Sequence, residues 1–159
     1  MHSRQSDFER DFRDILKCLN AAGCRYVLVG AQAMAAWGYI RATGDLDLFF
    51  EPSKTNALKL WKALVAFGAP LSGIKVKDFA VVGTLYQIGV APVRIDFLNC
   101  IDGVSFAQAH KGSRKITLLG QSCRVLSLRH LIKNKALTGR PQDKIDVKRL
   151  RELQRTHCE

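Results

Sequence analysis

The sequence predicts a mixed α/β (α+β) fold, a small mixed β-sheet with flanking helices. Three observations lead there. Apolar stripes of helical period are separated by short strand-like runs. Two segments, Asp45–Phe50 and Val93–Leu98, alternate with a period of two. Glycine-punctuated bends join further strand pairs. The order helix, strand, helix, strand, helix, strands, helices is not the strict alternation that an all-parallel sheet requires.

The first helix is expected near Ser6–Ala22, with Phe8, Phe12, Ile15, Leu16 and Leu19 on one stripe and Gly23 as its stop. Arg25–Val29 reads as a short buried strand ending at Gly30, followed by a helix over Ala31–Trp37. Asp45–Phe50 is the second strand. Ser53 caps a helix over Lys54–Phe67, whose expected buried face is Leu58, Leu60, Trp61, Leu64 and Val65. Strands near Thr84–Ile88 and Val93–Leu98 form a hairpin through Gly89 to Pro92. A short helix near Phe106–His110 precedes a second hairpin, Lys115–Leu119 with Cys123–Leu126. Ser127 caps a helix to about Thr138, Gly139 ends it, and Pro141 opens the last helix, Pro141–Gln154.

A length of 159 residues fits one domain, 1–159, with a basic helical part over about 127–155. No apolar run approaches the ~18 residues of a membrane span, and the N-terminus does not have the pattern of a secretory signal. A cytoplasmic location is expected. The five cysteines are odd in number and show no metal-ligand spacing, which suits a reducing compartment. Cys18, Cys24 and Cys100 read as small core residues. Net charge is +11, and residues 110–159 hold 13 Lys/Arg against 4 Asp/Glu. Such asymmetry favours a polyanionic partner, nucleic acid or nucleotide phosphates. A solvated basic face is the plainer alternative.

Within Asp45-Leu46-Asp47-Leu48, alternation turns Asp45 and Asp47 to one face and Leu46, Leu48 and Phe50 to the core. The two carboxylates are then about 7 Å apart at their Cα atoms. In Val93–Leu98 the same logic puts Arg94, Asp96 and Leu98 opposite Val93, Ile95 and Phe97. If the strands are neighbours, three acids cluster. Clustered carboxylates repel unless a cation neutralises them, and Mg²⁺ takes oxygen ligands while keeping places for water and phosphate. A two-ion Mg²⁺ site on Asp45, Asp47 and Asp96 is therefore expected, with the same three residues catalytic.

Val27-Leu28-Val29-Gly30-Ala31 is a strand-turn-helix whose small residues would let backbone amides approach phosphate. It lies 15 residues before Asp45. These segments, with Arg41-Ala42-Thr43-Gly44-Asp45-Leu46-Asp47, Arg94-Ile95-Asp96-Phe97-Leu98, Leu131–Lys135 and Gly139–Asp146, resemble the nucleotidyltransferase superfamily related to DNA polymerase β. The likeness is greatest to the branch of abortive-infection (AbiEii-type) toxin enzymes and their small bacterial relatives. It covers most of residues 25–150.

The resemblance implies Mg²⁺-dependent transfer of a nucleoside monophosphate from a nucleoside triphosphate, ATP included, to a hydroxyl acceptor. A tRNA or a cognate partner protein would be the acceptor, in a toxin–antitoxin or phage-defence setting and away from membranes. It implies metal-ligand roles for Asp45, Asp47 and Asp96, with Asp96 taking the acceptor proton. It assigns Gly30, Ala31, Arg41, Thr43, Lys135 and Arg140 to nucleotide binding, and leaves Asp143 and Asp146 without a clear role. Relatives carry Gly-Gly or Gly-Ser at the turn, whereas Gly30-Ala31 lacks the serine hydroxyl and resists positive φ at Ala31. The alternative is thus a catalytically inactive antitoxin or regulatory binding module.

Tyr39 and Arg41 either contact a base or phosphate, or pack the loop before the acidic strand. Lys133 and Lys135 cannot share a helix face. Lys144, Lys148 and Arg151 form a helical stripe suited to an RNA path or to plain solvation. Trp37 and Trp61 are expected in the core.

Overall fold

The computed structural model describes residues 2–90 and 93–157. Six helices and six strands follow one another along them: α1 (His2–Ala21), β1 (Tyr26–Val29), α2 (Gly30–Ala36), β2 (Asp45–Phe50), α3 (Lys54–Phe67), β3 (Leu85–Val90), β4 (Val93–Leu98), α4 (Phe106–Gly112), β5 (Arg114–Leu118), β6 (Gln121–Val125), α5 (Leu128–Thr138) and α6 (Pro141–Thr156). A 3-10 turn, Val76–Ala80, lies between α3 and β3. The strands form one mixed sheet in the order β3-β4-β2-β1-β6-β5. β1 and β2 are antiparallel, β2 and β4 parallel, β1 and β6 parallel, and both outer pairs are antiparallel hairpins. The expected fold class is the observed one. The hairpin bend at Ala91-Pro92 and Cys158 lie outside the described residues.

Local chemistry sets most boundaries. Ser53 accepts from the Asn56 amide and Gly68 ends α3 at φ 86°. Ser105 and Gln108 form a reciprocal capping box on α4. Ser127 accepts from the His130 amide, Gly139 ends α5 at φ 64°, and Pro141 starts α6. These caps satisfy backbone groups that a helix end leaves without partners.

The two faces of the sheet differ in cover. Leu46, Leu48 and Phe50 point to one side, where Phe50, Trp61 and Tyr86 surround the fully buried Phe79. On the other side α4 brings Phe106 edge-on to Phe49 at 5.3 Å. Phe49 shares its face with Asp45 and Asp47, and α4 covers only that end of the strand. The carboxylates are left at an open end.

Two expectations about packing need correction. Leu58 and Val65 of α3 are more than half exposed, and Ala57 and Ala63 face inward with Leu60 and Leu64. Small residues suit the side that packs against α1. Cys100 is exposed and Cys18 only half-buried, so of the three cysteines expected in the core Cys24 alone is fully there. Trp37 and Trp61 pack on the core as expected, and the Trp37 indole donates to the Leu126 carbonyl at 2.9 Å.

Candidate active site

The parallel β2–β4 pairing decides the geometry. Asp47 is the register partner of Asp96, and Asp45 that of Arg94. Register partners project to the same side of a sheet, on strands about 4.8 Å apart. The three acids therefore share one face at one end of the sheet. Nothing in the sequence had fixed which strand lay beside β2.

Burial and mutual repulsion raise the Asp47 pKa to about 7. Desolvation is the larger cause, followed by the charges of Asp96 and Asp45 and a hydrogen bond shared with Asp96, while Lys135 pulls the other way. Asp96 is 8% exposed, and its Oδ1 has no hydrogen-bond partner. Arg94 supplies a nearby positive charge, its Nη2 lying 3.6 Å from Asp45 Oδ2 and 3.7 Å from Asp96 Oδ2. Among the described residues no three His, Cys, Asp or Glu side chains enclose a metal ion by themselves. An open carboxylate site is nonetheless the usual way to hold Mg²⁺, which binds through one or two carboxylates and completes its shell with water and substrate phosphate. The all-oxygen donor set, the orphaned Asp96 Oδ1 and the raised Asp47 pKa fit such an ion.

Gly30 is tied to this cluster by sterics. It adopts φ +69°, and a Cβ there would collide with the Asp47 carboxylate. The positive φ falls on Gly30; Ala31 is not among the non-glycine residues with positive φ and is buried in α2. The alanine is therefore compatible with the bend, which removes the conformational objection to catalysis. Gly30→Ala is expected to lower stability by more than the ~1–2 kcal/mol of a left-handed residue, because it also displaces Asp47. Gly23 shares φ +69° but has nothing within 4 Å, so Gly23→Ala measures the backbone part alone. Equal losses of the two variants in urea denaturation would contradict the steric link.

A cleft of about 330 Å³ opens beside the acids, lined in part by Gly30, Asp47, Lys135 and Arg140. Cys100, Asp102, Asn134 and Thr138 also line it, and the sequence reading had missed them in this role. Cys100 reads in the sequence as a core residue, Asn134 lies in the Leu131–Lys135 stretch without a role of its own, and Asp102 and Thr138 belong to no recognisable pattern. Arg41 and Thr43 do not line the cleft. Thr43 Oγ1 accepts from the Asp45 amide at 3.1 Å, pinning the loop that enters β2. Tyr39 and Arg41 both turn to Asp146, at 3.0 and 3.3 Å.

Asp146 belongs to a buried polar network under one wall of the cleft. Lys135 is 8% exposed, whereas Lys133 faces solvent. The Lys135 Nζ lies 3.3 Å from Asp143 Oδ1 and 3.6 Å from Asp146 Oδ2. Asp143 also accepts from Thr138 Oγ1 at 2.7 Å and from Arg140 N and Nε at 3.1 and 2.8 Å. Burial works to raise the Asp143 pKa, but these donors outweigh it and hold the carboxyl well below the usual range. The spacing of Asp143, Asp146, Val147 and Leu150 on one buried stripe was the available signal. Acids on an apolar helix face announce buried ion partners.

The chain folds as nucleotidyltransferases do. Its structure matches a Thermotoga maritima protein provisionally described as a nucleotidyltransferase, with TM-score 0.61 and 16% identity over 91% of this chain and 92% of that one. By sequence the chain belongs to the family described as nucleotidyl transferase of unknown function (DUF2204), whose model matches residues 8–158. No curated protein matches it. Among the described residues no helix is long and apolar enough to cross a membrane.

Proposed function

We propose that this protein moves a nucleoside monophosphate from a nucleoside triphosphate to a hydroxyl acceptor at Asp45, Asp47 and Asp96. The observation that carries the reading is the direct register of Asp47 with Asp96 beside Gly30. Mg²⁺ held by the three carboxylates would stabilise charge on the leaving pyrophosphate and acidify the acceptor hydroxyl.

The residues themselves do the positioning. Gly30 keeps room beside Asp47, so the triphosphate can approach the carboxylates without a Cβ in its path. Lys135, fixed between two buried acids, offers a positive field to the phosphates without conformational search, and exposed Arg140 adds a second cation at the cleft. The acceptor oxygen attacks the α-phosphorus, the bond to the bridging oxygen of the β-phosphate breaks, and pyrophosphate leaves. The acceptor proton passes to the unpartnered Asp96 carboxylate oxygen.

Within the wider superfamily the reading retains the AbiEii-type branch and its toxin–antitoxin or phage-defence setting. For the acceptor it favours RNA, with tRNA the first candidate, over a cognate partner protein. The basic last third supports that choice, with Lys144, Lys148 and Arg151 exposed on α6. Incubation with Mg²⁺, α-labelled triphosphates and total tRNA tests it. Labelled tRNA of increased mass is expected; label on protein alone would transfer the reading to a protein acceptor. The inactive-module alternative predicts no label on either.

A further inference from the structure

A second cationic site lies at the far end of β1 from Gly30. Arg25 precedes the strand, His110 lies in the last turn of the neighbouring helix α4, and Lys115 and Arg124 face each other across the β5–β6 hairpin. Together they line a cavity of about 180 Å³ with no acidic residue in its wall. Tyr26 and Val29, three residues apart on β1, put it roughly 10 Å along the strand from the acid cluster.

Several features of this cavity lack a purely structural explanation. Lys115 and Arg124 are direct cross-strand partners, and like charges in that position repel. Neither makes an ion pair among the described residues; Arg124 only donates to Ser113 Oγ at 3.3 Å. Arg25 is fixed in advance, paired with Glu51 and lying 5.6 Å over the Phe106 ring. Its Nη2 is 3.5 Å from His110 Nδ1. Burial and the charges of Arg25 and Arg124 lower the His110 pKa, outweighing the opposing charge of Glu51. Ser122 also lines the cavity.

We propose that this cavity binds a phosphate group, held by Arg25, Lys115 and Arg124 with His110 as a further hydrogen-bonding partner. Arginine forks suit phosphate oxygens, and a bound anion would relieve the Lys115–Arg124 repulsion. The volume is well below the ~300 Å³ at which sites for larger organic ligands begin, so one phosphate-sized group is the fitting occupant. Its source is either free inorganic phosphate or a nucleic-acid backbone. The site does not depend on the transferase reading, because none of its residues belongs to the carboxylate cluster.

The test is an NMR titration of the His110 ring in the full chain, assigned with a His110→Gln variant and run at constant ionic strength. Inorganic phosphate and a short single-stranded RNA are the two probes, applied to wild type and to a Lys115→Gln/Arg124→Gln variant. The expected result is an upward shift of the His110 pKa on adding phosphate or RNA, lost in the double variant. A response to both probes identifies any phosphate as ligand, and a response to RNA alone identifies the backbone as the source. In that second case the slope of log affinity against log salt falls by about 1.4 in the variant, at ~0.7 per lost single-strand contact. No shift with either probe, or an equal shift in the double variant, overturns the proposal. The carboxylate site is judged separately, since Asp45, Asp47 and Asp96 are unchanged in this variant.

Discussion

Asp47→Asn is expected to abolish nucleotidyl transfer while making the metal-free protein no less stable. The loss should be at least on the order of 10²–10³-fold, the scale of deleting one preorganised stabiliser of transition-state charge. Stability should move the other way because Asp47 ionises against burial and against Asp96 and Asp45. An amide of the same shape removes that repulsion. The sign of the pH dependence follows from the raised pKa. Between its unfolded value near 3.9 and about 7 the folded chain binds the extra proton, so metal-free stability from this group falls as pH rises through that window. His110 and His130, whose pKa values burial lowers, act oppositely and add stability as pH rises to about 6.5. The difference between wild type and Asp47→Asn isolates the carboxylate. Thermal melts without divalent ions should show the variant gaining on wild type from about pH 4 to about pH 7, the two ends of that window. A variant that loses ground over that range would contradict the raised pKa.

Asp146→Ala should produce the largest loss of stability of any single change near the cleft. The carboxylate is fully buried and receives Tyr39 at 3.0 Å and Gln142 at 3.1 Å on one oxygen. Arg41 and Lys135 flank the other at 3.3 and 3.6 Å. Truncation strands Lys135 with Asp143 as its remaining acid and unties the 39–41 loop from α6. Breaking a buried pair from one side costs about 3–5 kcal/mol, or about 10 °C in a chain of this size. The KM for triphosphate should rise as well, because Lys135 is no longer held at the cleft wall. A melt within 2 °C of wild type (roughly 1 kcal/mol or less) would show that the network is ornamental.

The sequence was most legible where one period governed a segment. Asp45–Phe50 and Val93–Leu98 read as strands with their acids on the correct faces, because alternation alone determines both. The parallel pairing that joins those acids was not legible, since strand order depends on contacts far apart in sequence. The 3-10 turn Val76–Ala80 was missed for a related reason. Its residues carry no helical or strand period, although Phe79 is central to the core. On α3 the letters Leu58 and Val65 misled, because the inward stripe falls on Ala57, Leu60, Ala63 and Leu64, where the helix packs on α1 and the Val76–Ala80 turn. Asn56 is the counterpart: a polar residue 1% exposed, accepted because its amide satisfies Arg25 and Glu51 backbone groups. Lys135 is the buried lysine of the 133/135 pair, and the acids that hold it carry no assigned role in the sequence. Ala31 shows the opposite failing, since the backbone strain expected at that position is absent, positive φ falling on Gly30.

Transfer of label from an α-phosphate-labelled nucleoside triphosphate in Mg²⁺ is the most direct measurement, made with wild type, Asp47→Asn and Asp96→Asn against RNA and protein acceptors. Wild type should leave the α-label on an acceptor and release pyrophosphate, and both variants should fail while melting at or above the wild-type temperature without metal. Label transferred equally well by either variant would mean that the paired acids of β2 and β4 are not where the chemistry happens.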